Sequence, residues 1–179
     1  MASTEDQTRS LFDAAAMPHM AEIFRMASRI LRERSRAEDV TQEVFLQAWK
    51  SFHRFEPGTN CRAWLYKILF HCVDHQRRKW FRFPLLMEPG ELAAIGDIAP
   101  YREPVPERIT DRDILGALDN VPVDFRAVVL LVDVEEFAYK EAAKILSVPI
   151  GTVMSRLSRG RKLLKEQLAG VAQSYGIGV

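Results

Sequence analysis

Apolar residues recur every three or four positions through most of this 179-residue chain, the pattern of amphipathic α-helices. The first ten residues are polar and are expected to fray. A stripe then follows Pro18, a residue suited to the first turn of a helix. It comprises Met20, Ile23, Phe24, Ala27, Ile30 and Leu31. After a charged break at residues 32–36, Ser35 and Glu38 have the spacing of a capping box for a second helix, whose apolar face holds Val40, Val44, Phe45, Ala48, Trp49 and Phe52.

A turn at residues 56–60, E-P-G-T-N, predicts the start of a third helix over Cys61–Trp80, with Asn60 as its cap. Its expected core positions are Trp64, Leu65, Ile68, Cys72 and Val73. Its expected outward positions are Arg62, Lys67, His71, His75, Arg77, Arg78 and Lys79. Cations interleaved with aromatic rings suit single-stranded nucleic acid, because bases stack on rings while phosphates bind cations.

Residues 83–106 hold five of the nine prolines and lack apolar periodicity, which predicts a linker between two helical domains. Within it, Leu85, Leu86 and Met87 are apolar enough to dock on a partner. Beyond it, Thr110 and Asp113 predict a capped helix bearing Ile114, Leu115 and Leu118. After Pro122, the next helix should bury Phe125, Val128, Val129, Leu131 and Val132. The predicted fold class is therefore all-α, with two small domains.

Residues 137–165 contain two short helical patterns separated by Ser-Val-Pro-Ile-Gly, which predicts a helix-turn-helix. Pro149 should end the first helix by Val148, and Thr152 is the expected cap of the second. The second helix has a stripe of Val153, Leu157, Leu164 and Leu168, and off it stand Ser155, Arg156, Ser158, Arg159, Arg161 and Lys162. A basic face is often only a solvated surface, but the tight break and the hydroxyl-rich helix start favour DNA binding. The tail from Gly170 is expected to fray.

The net charge of +1 conceals an uneven distribution of charge. Residues 101–136 carry nine acidic residues against four arginines, whereas residues 150–168 carry five basic residues against one acidic residue. A second basic patch lies at residues 76–82, so two separated contacts with one polyanion are expected. No apolar run reaches the ~20 residues of a membrane span, and two distant cysteines without a CxxC indicate a reducing compartment. A cytoplasmic protein without membrane insertion is predicted.

His71, Cys72 and His75 allow a metal interpretation, because His71 and His75 are one helical turn apart. A structural zinc needs four ligands, and Cys61 is the other soft candidate nearby. Two partly exposed histidines beside phosphates are the preferred interpretation, with no metal and no cofactor. Paired carboxylates with a nearby base and a Gly-rich phosphate loop are also lacking, so no enzyme is predicted.

Four motifs together resemble the extracytoplasmic-function (ECF) group of bacterial sigma factors in the sigma-70 family. They are A-E-D-V-T-Q-E-V-F (37–45), F-E-P-G-T-N-C-R-A-W-L-Y-K-I-L (55–69), D-H-Q-R-R (74–78) and G-T-V-M-S-R-L-S-R-G-R (151–161). The resemblance implies sigma region 2 at residues 10–82, a linker at 83–107 and region 4 at 108–170. Region 4 would be a winged-helix-like four-helix domain. Within the group, F-E-P-G-T-N is most similar to members paired with redox-responsive zinc anti-sigma factors.

The resemblance implies a role for each matching segment. Asp39, Gln42 and Glu43 would bind the clamp helices of the largest subunit of core RNA polymerase, and the chain would also meet the flap of the second-largest subunit. Contacts with the −10 element are implied for Thr59, Asn60, Arg62, Trp64, Lys67, His71, Arg77 and Arg78. Contacts with the −35 element are implied for Thr152, Ser155, Arg156, Ser158, Arg159, Arg161 and Lys162, the last two with phosphates. A stress-response role and an anti-sigma factor are implied as well.

Three residues depart from the usual pattern of the family. His71 stands where relatives usually carry Asn, and Met154 stands where Lys or Arg is common. Gly160 is expected to weaken the second helix of the helix-turn-helix by ~1 kcal/mol relative to Ala. Two other interpretations compete with the sigma factor: a helix-turn-helix regulator that never binds polymerase, and an enzyme acting on nucleic acid. The first would leave the motifs of residues 37–80 without a purpose.

Overall fold

A computed structural model describes residues 4–80 and 110–174 of the chain. Every regular element within these two ranges is helical, and the chain divides into two compact units, the first holding residues 4–80 and the second holding residues 110–174 except for the short stretch Lys144–Ser147. The all-α, two-domain prediction is confirmed. The linker itself, predicted at residues 83–107, lies outside the described residues, as does the end of the tail beyond Ser174.

The first unit packs three long helices around one core and adds a fourth at its N-terminal side. Its elements are α1 (Thr4–Ala16), a 3₁₀ turn (Met17–His19), α2 (Met20–Leu31), α3 (Arg34–Ser51), a 3₁₀ turn (Phe52–Arg54) and α4 (Cys61–Trp80). The fully enclosed side chains include Ile23, Met26, Val40, Val44, Leu65, Tyr66, Leu69 and Val73. Pro18 lies in the 3₁₀ turn that leads into α2, so it starts the helix as its fixed φ favours.

Two predictions about helix starts in the first unit are wrong. Residues 4–10 are helical rather than frayed, because α1 is anchored by Phe12, which is buried against rings of α3 and the turn after it. The capping box of Ser35 and Glu38 does not form. Glu33 is the N-cap of α3, and the Ser35 hydroxyl donates to its carboxylate at 3.0 Å.

The second unit is built from four helices. They are α5 (Asp111–Asp119), α6 (Val123–Val129), α7 (Tyr139–Leu146) and α8 (Ile150–Ser174), and α6 continues into a π turn (Leu130–Val134). Its core includes Leu118, Val128, Leu130, Leu131, Phe137, Ala142, Val153 and Leu157. Helix α8 packs on both α5 and α6. It also runs four residues past Gly170, where the sequence predicted fraying.

In the second unit, two of the three helix ends that the sequence predicted are found in the structure. Thr110 and Asp113 form the predicted capping box of α5. Helix α7 ends at Leu146, shortly before Pro149 as predicted, and Ser147 takes a left-handed φ of 54° while the Val148 amide donates to the Ala143 carbonyl. The prediction of Thr152 as a cap is wrong, because α8 starts at Ile150 and the Thr152 amide donates to the Pro149 carbonyl.

Candidate nucleic-acid interfaces

Helix α8 presents a polar surface opposite a narrow buried stripe. Val153, Leu157 and Gly160 are buried, at spacings of four and three residues that place them on one face. Away from this face, the predicted contact residues are either exposed, as with Arg159, Arg161 and Lys162, or half-buried, as with Thr152, Ser155, Arg156 and Ser158. Met154 is 49% exposed, so an apolar side chain is accessible to solvent beside these hydrogen-bond donors. One helix therefore combines hydroxyls, cations and a thioether on its outer surface.

Gly160 lies tightly against α6. A Cβ atom added there would lie 2.7 Å from Val129 Cγ2 and 3.1 Å from the Phe125 carbonyl oxygen. No such contact would form at Gly151 or Gly170 on the same helix. The sequence interpretation of Gly160 as a weak point in the helix is therefore incomplete, because the missing side chain is what permits the close crossing.

Arg161 forms a bidentate ion pair with Asp133 in the π turn. Its Nε donates to Asp133 Oδ2 at 3.0 Å, and its Nη2 donates to Asp133 Oδ1 at 2.6 Å. The hydrogen bond to Asp133 raises the pKa of Arg161. Both carboxylate oxygens are engaged, so the charge of Arg161 is already balanced within the unit.

The outer face of α3 carries the three residues predicted to bind polymerase. Asp39 and Gln42 are exposed, and Glu43 is half-buried and accepts a hydrogen bond from Gln47 at 2.8 Å. Burial and, to a lesser degree, the charge of Glu43 raise the pKa of Cys72 in α4 to about 11. Leu46 and Trp49 continue the stripe of Asp39 and Gln42, and both are exposed although Trp49 was predicted on the apolar face.

The turn before α4 is fixed by its own hydrogen bonds. Gly58 takes a φ of 87°, which glycine adopts readily, and the Thr59 hydroxyl donates to the Glu56 carbonyl at 2.7 Å. Asn60 caps α4 as predicted, because its Oδ1 accepts from the Ala63 amide at 3.0 Å. Both Thr59 and Asn60 remain exposed, so this turn is accessible at the surface of the unit.

Five aromatic rings adjoin this turn. Trp64 lies 5.0 Å from Phe55 and 6.4 Å from Phe52 between ring centroids, and Phe52 stacks on Phe55. Phe12 joins them to Trp49 by edge contacts of 5.2 Å. Trp64 is half-buried within this cluster, so its ring supports the turn and is also partly accessible.

Arg62 faces inward rather than outward as predicted. Its Nε donates to Glu22 Oε2 at 3.0 Å, and its guanidinium lies 5.2 Å from the centroid of the Tyr66 ring. Glu22 also binds His19 through Oε1. Arg62 therefore links α4 to α2, and this contact between residues 40 apart has no local signal in the sequence.

Beyond these contacts, α4 exposes a stripe of ionisable side chains. It comprises Lys67, His71, Asp74, His75 and Arg78, and Arg77 is half-buried beside it. Cys72 points into the core between the two histidines. Among the described residues, no group of three or more His, Cys, Asp or Glu side chains is arranged to hold a metal ion. This stripe thus offers three exposed cationic or imidazole positions one helical turn apart, at residues 67, 71 and 75, followed by Arg78.

None of the helices in residues 4–80 and 110–174 has the length and apolar character needed to cross a membrane.

Comparison with known proteins identifies both units. Residues 16–82 match the family "Sigma-70 region 2", and residues 111–164 match "Sigma-70, region 4". The ECF RNA polymerase sigma factor SigE of Mycolicibacterium smegmatis is 34% identical over 93% of this chain and 70% of its own length. The ECF RNA polymerase sigma factor SigW of Bacillus subtilis is 28% identical over 82% of each chain.

A solved structure agrees with these relatives. The sigma factor RpoE from Bartonella quintana, in complex with the anti-sigma factor NepR, matches with a TM-score of 0.67 and 29% identity, over 88% of this chain and 96% of RpoE. Fold, region order and relatives all agree with the motifs. The chain belongs to the ECF group of the sigma-70 family and is an RNA polymerase sigma factor, a non-enzymatic protein that binds core polymerase and promoter DNA to initiate transcription.

Proposed function

We propose that this sigma factor reads the −35 element with α8 and opens the −10 element with the turn before α4. The observation that carries the proposal is the surface of α8, where the buried stripe of Val153 and Leu157 leaves Ser155, Arg156 and Arg159 on the outer side. A recognition helix presents the residues near its N-terminus to base edges. We assign these three side chains, with Thr152 and Ser158, to the −35 element.

Lys162 is assigned to phosphate. It is exposed and lies one to two turns beyond Arg156 and Arg159, where a recognition helix leaves the groove and follows the backbone. Met154, also exposed, is suited to an apolar contact such as a thymine methyl group.

The −10 element is assigned to the first unit. Thr59 and Asn60 project from the turn, and Trp64 with Phe55 offers the aromatic surface that an unstacked base requires. Lys67, His71, Arg77 and Arg78 would follow the sugar-phosphate backbone along α4. Arg62 would support the turn through Glu22 rather than touch DNA.

Polymerase would dock on both units. The exposed Asp39 and Gln42, with Glu43 beside them, would bind the clamp helices of the largest subunit. Region 4 would meet the flap of the second-largest subunit. The corresponding boundaries are region 2 at residues 10–82, a linker at 83–107 and region 4 at 108–170, and the protein would work in the cytoplasm where core polymerase is found.

An anti-sigma factor is proposed to hold the chain until a stress signal arrives. The support is the relative RpoE, whose structure is that of a complex with the anti-sigma factor NepR. The F-E-P-G-T-N segment at residues 55–60 further suggests a zinc-containing anti-sigma factor that responds to redox conditions.

Substitutions on α8 should separate base reading from general attraction to DNA. Arg156→Ala or Arg159→Ala should weaken transcription from the preferred −35 element far more than from its base-substituted variants, because a bidentate Arg–guanine pair contributes ~1–3 kcal/mol of discrimination. Lys162→Ala should weaken all promoters about equally and lower the salt dependence. The measurement is transcription from a library of −35 elements by each mutant holoenzyme. Equal losses on every element for all three variants would assign promoter specificity to the first unit instead.

The isolated chain should bind duplex promoter DNA weakly at physiological salt and should initiate only with core polymerase. Its net charge is +1, and the charge of Arg161 is balanced by Asp133, so few counterions would be released on binding. Footprinting of a promoter by the chain alone and by the holoenzyme measures this. A tight footprint without polymerase would favour a helix-turn-helix regulator whose DNA binding is independent of polymerase.

A further inference from the structure

We infer that Arg161 is a positioning residue that orients α8 through Asp133, rather than a ligand of the DNA phosphates. This inference rests on the proposed role of α8 at the −35 element. Its basis is the two-pronged pairing, with Nε to Oδ2 at 3.0 Å and Nη2 to Oδ1 at 2.6 Å. A planar guanidinium held at two points fixes direction as well as distance, which a single charge contact does not.

The partner of Arg161 lies in a segment whose backbone is itself constrained. Asp133 belongs to the π turn after α6, in which the Glu135 amide donates to the Leu130 carbonyl and the Phe137 amide donates to the Leu131 carbonyl. The left-handed φ of 57° at Glu136 ends this segment. Arg161 therefore joins α8 to the segment that connects α6 with α7.

The location of Arg161 along α8 suits this role. Its neighbour Gly160 packs tightly against α6, so Gly160 sets the distance between the helices at this point while Arg161 resists rotation about that contact. A rotation of α8 by about 20° would move a side-chain head at about 6 Å from the helix axis by about 2 Å. That displacement would break a bidentate contact between a base and Arg156 or Arg159, which lie five and two residues earlier on the same helix.

The charge balance argues against the phosphate role. A phosphate approaching Arg161 would have to compete with Asp133 for the guanidinium and would be repelled by the same carboxylate. Lys162, the next residue, is exposed and offers the comparison, because it has no acidic partner among the ion pairs of the described residues.

Four holoenzyme variants test the inference: Arg161→Lys, Asp133→Asn, the Arg161→Lys/Asp133→Asn double variant, and Lys162→Gln. The readouts are the salt dependence of promoter complex formation and the discrimination among −35 elements. The positioning role predicts that Arg161→Lys and Asp133→Asn each reduce discrimination by roughly tenfold, the contribution of one well-placed bidentate arginine. The double variant should be no worse than either single variant, and the salt dependence should not change.

If Arg161 instead bound a DNA phosphate, the Asp133→Asn substitution would have the opposite effect on promoter binding. Asp133→Asn would release Arg161, strengthen the complex and steepen its salt dependence, and Arg161→Lys would retain function; that combination would overturn the inference. Lys162→Gln should reduce the salt dependence by about one counterion, since it removes one phosphate contact. If Lys162→Gln, Arg156→Ala and Arg159→Ala all leave the complex and its discrimination unchanged, the proposed role of α8 fails. If these three variants show their expected losses while the Arg161 and Asp133 variants behave as a phosphate contact predicts, only the positioning role is overturned.

Discussion

Replacing Asp39, Gln42 and Glu43 together with Ala should abolish binding to core polymerase while the first unit stays folded. The three side chains lie in the second and third turns of α3, which begins at Arg34 with Glu33 as its N-cap. They therefore do not cap the helix, and the helix dipole acts mainly on the first turn, so their structural contribution is small. Interface residues at the centre of a contact each contribute about 2 kcal/mol or more, so the joint loss should exceed ~1000-fold in affinity.

The measurement is the dissociation constant with core polymerase, and circular dichroism monitors the helical content. A matched control replaces Gln7, Asp13 and Asp74 with Ala, since these exposed polar residues belong to α1 and α4 of the same unit rather than to α3. The control should bind polymerase normally. If the folded triple variant bound core polymerase with full affinity, Asp39, Gln42 and Glu43 would have a purely structural role. Polymerase would then have to dock elsewhere.

The helices whose ends depend on neighbouring residues could be predicted well from the sequence. Helix α4 spans the predicted Cys61–Trp80 because Asn60 and the preceding Pro-Gly turn determine its start. Helix α5 starts after the capping box of Thr110 and Asp113, again a contact between residues three apart. Both signals lie within a few residues of the feature they determine, so no tertiary information is needed.

Features that depend on distant residues could not be predicted. Helix α1 is polar, and it is anchored by Phe12 through rings of residues 49 and 52, which no local pattern connects to it. Helical periodicity placed Arg62 and Arg161 among the free outward cations. Their acidic partners lie 40 and 28 residues away along the chain, so only the fold brings the charges together. The sequence therefore predicted which helix faces carry the cations. It could not show which of these cations already form ion pairs within the protein.

Replacing Gly160 with Ala should destabilise the second unit, whereas Gly116→Ala should stabilise it. Ala is favoured over Gly in a helix interior by ~1 kcal/mol, and Gly116 in α5 has open space around it. At Gly160 the added methyl group would lie 2.7 Å from Val129 Cγ2 and 3.1 Å from the Phe125 carbonyl oxygen, so α8 must move away from α6. Overpacking of this kind costs ~1–3 kcal/mol, enough to reverse the sign of the helix-propensity gain.

Urea unfolding of the two variants measures this difference, because both glycines belong to the same unit and report on the same transition. The displacement should also affect function, since Gly160 lies one residue after Arg159 and four after Arg156. We expect Gly160→Ala to reduce transcription from promoters that require the −35 element, while Gly116→Ala leaves it unchanged. If Gly160→Ala were as stable as Gly116→Ala, Val129 would have to rotate away at little cost, and the close crossing of α6 and α8 would not be what sets the position of the recognition helix.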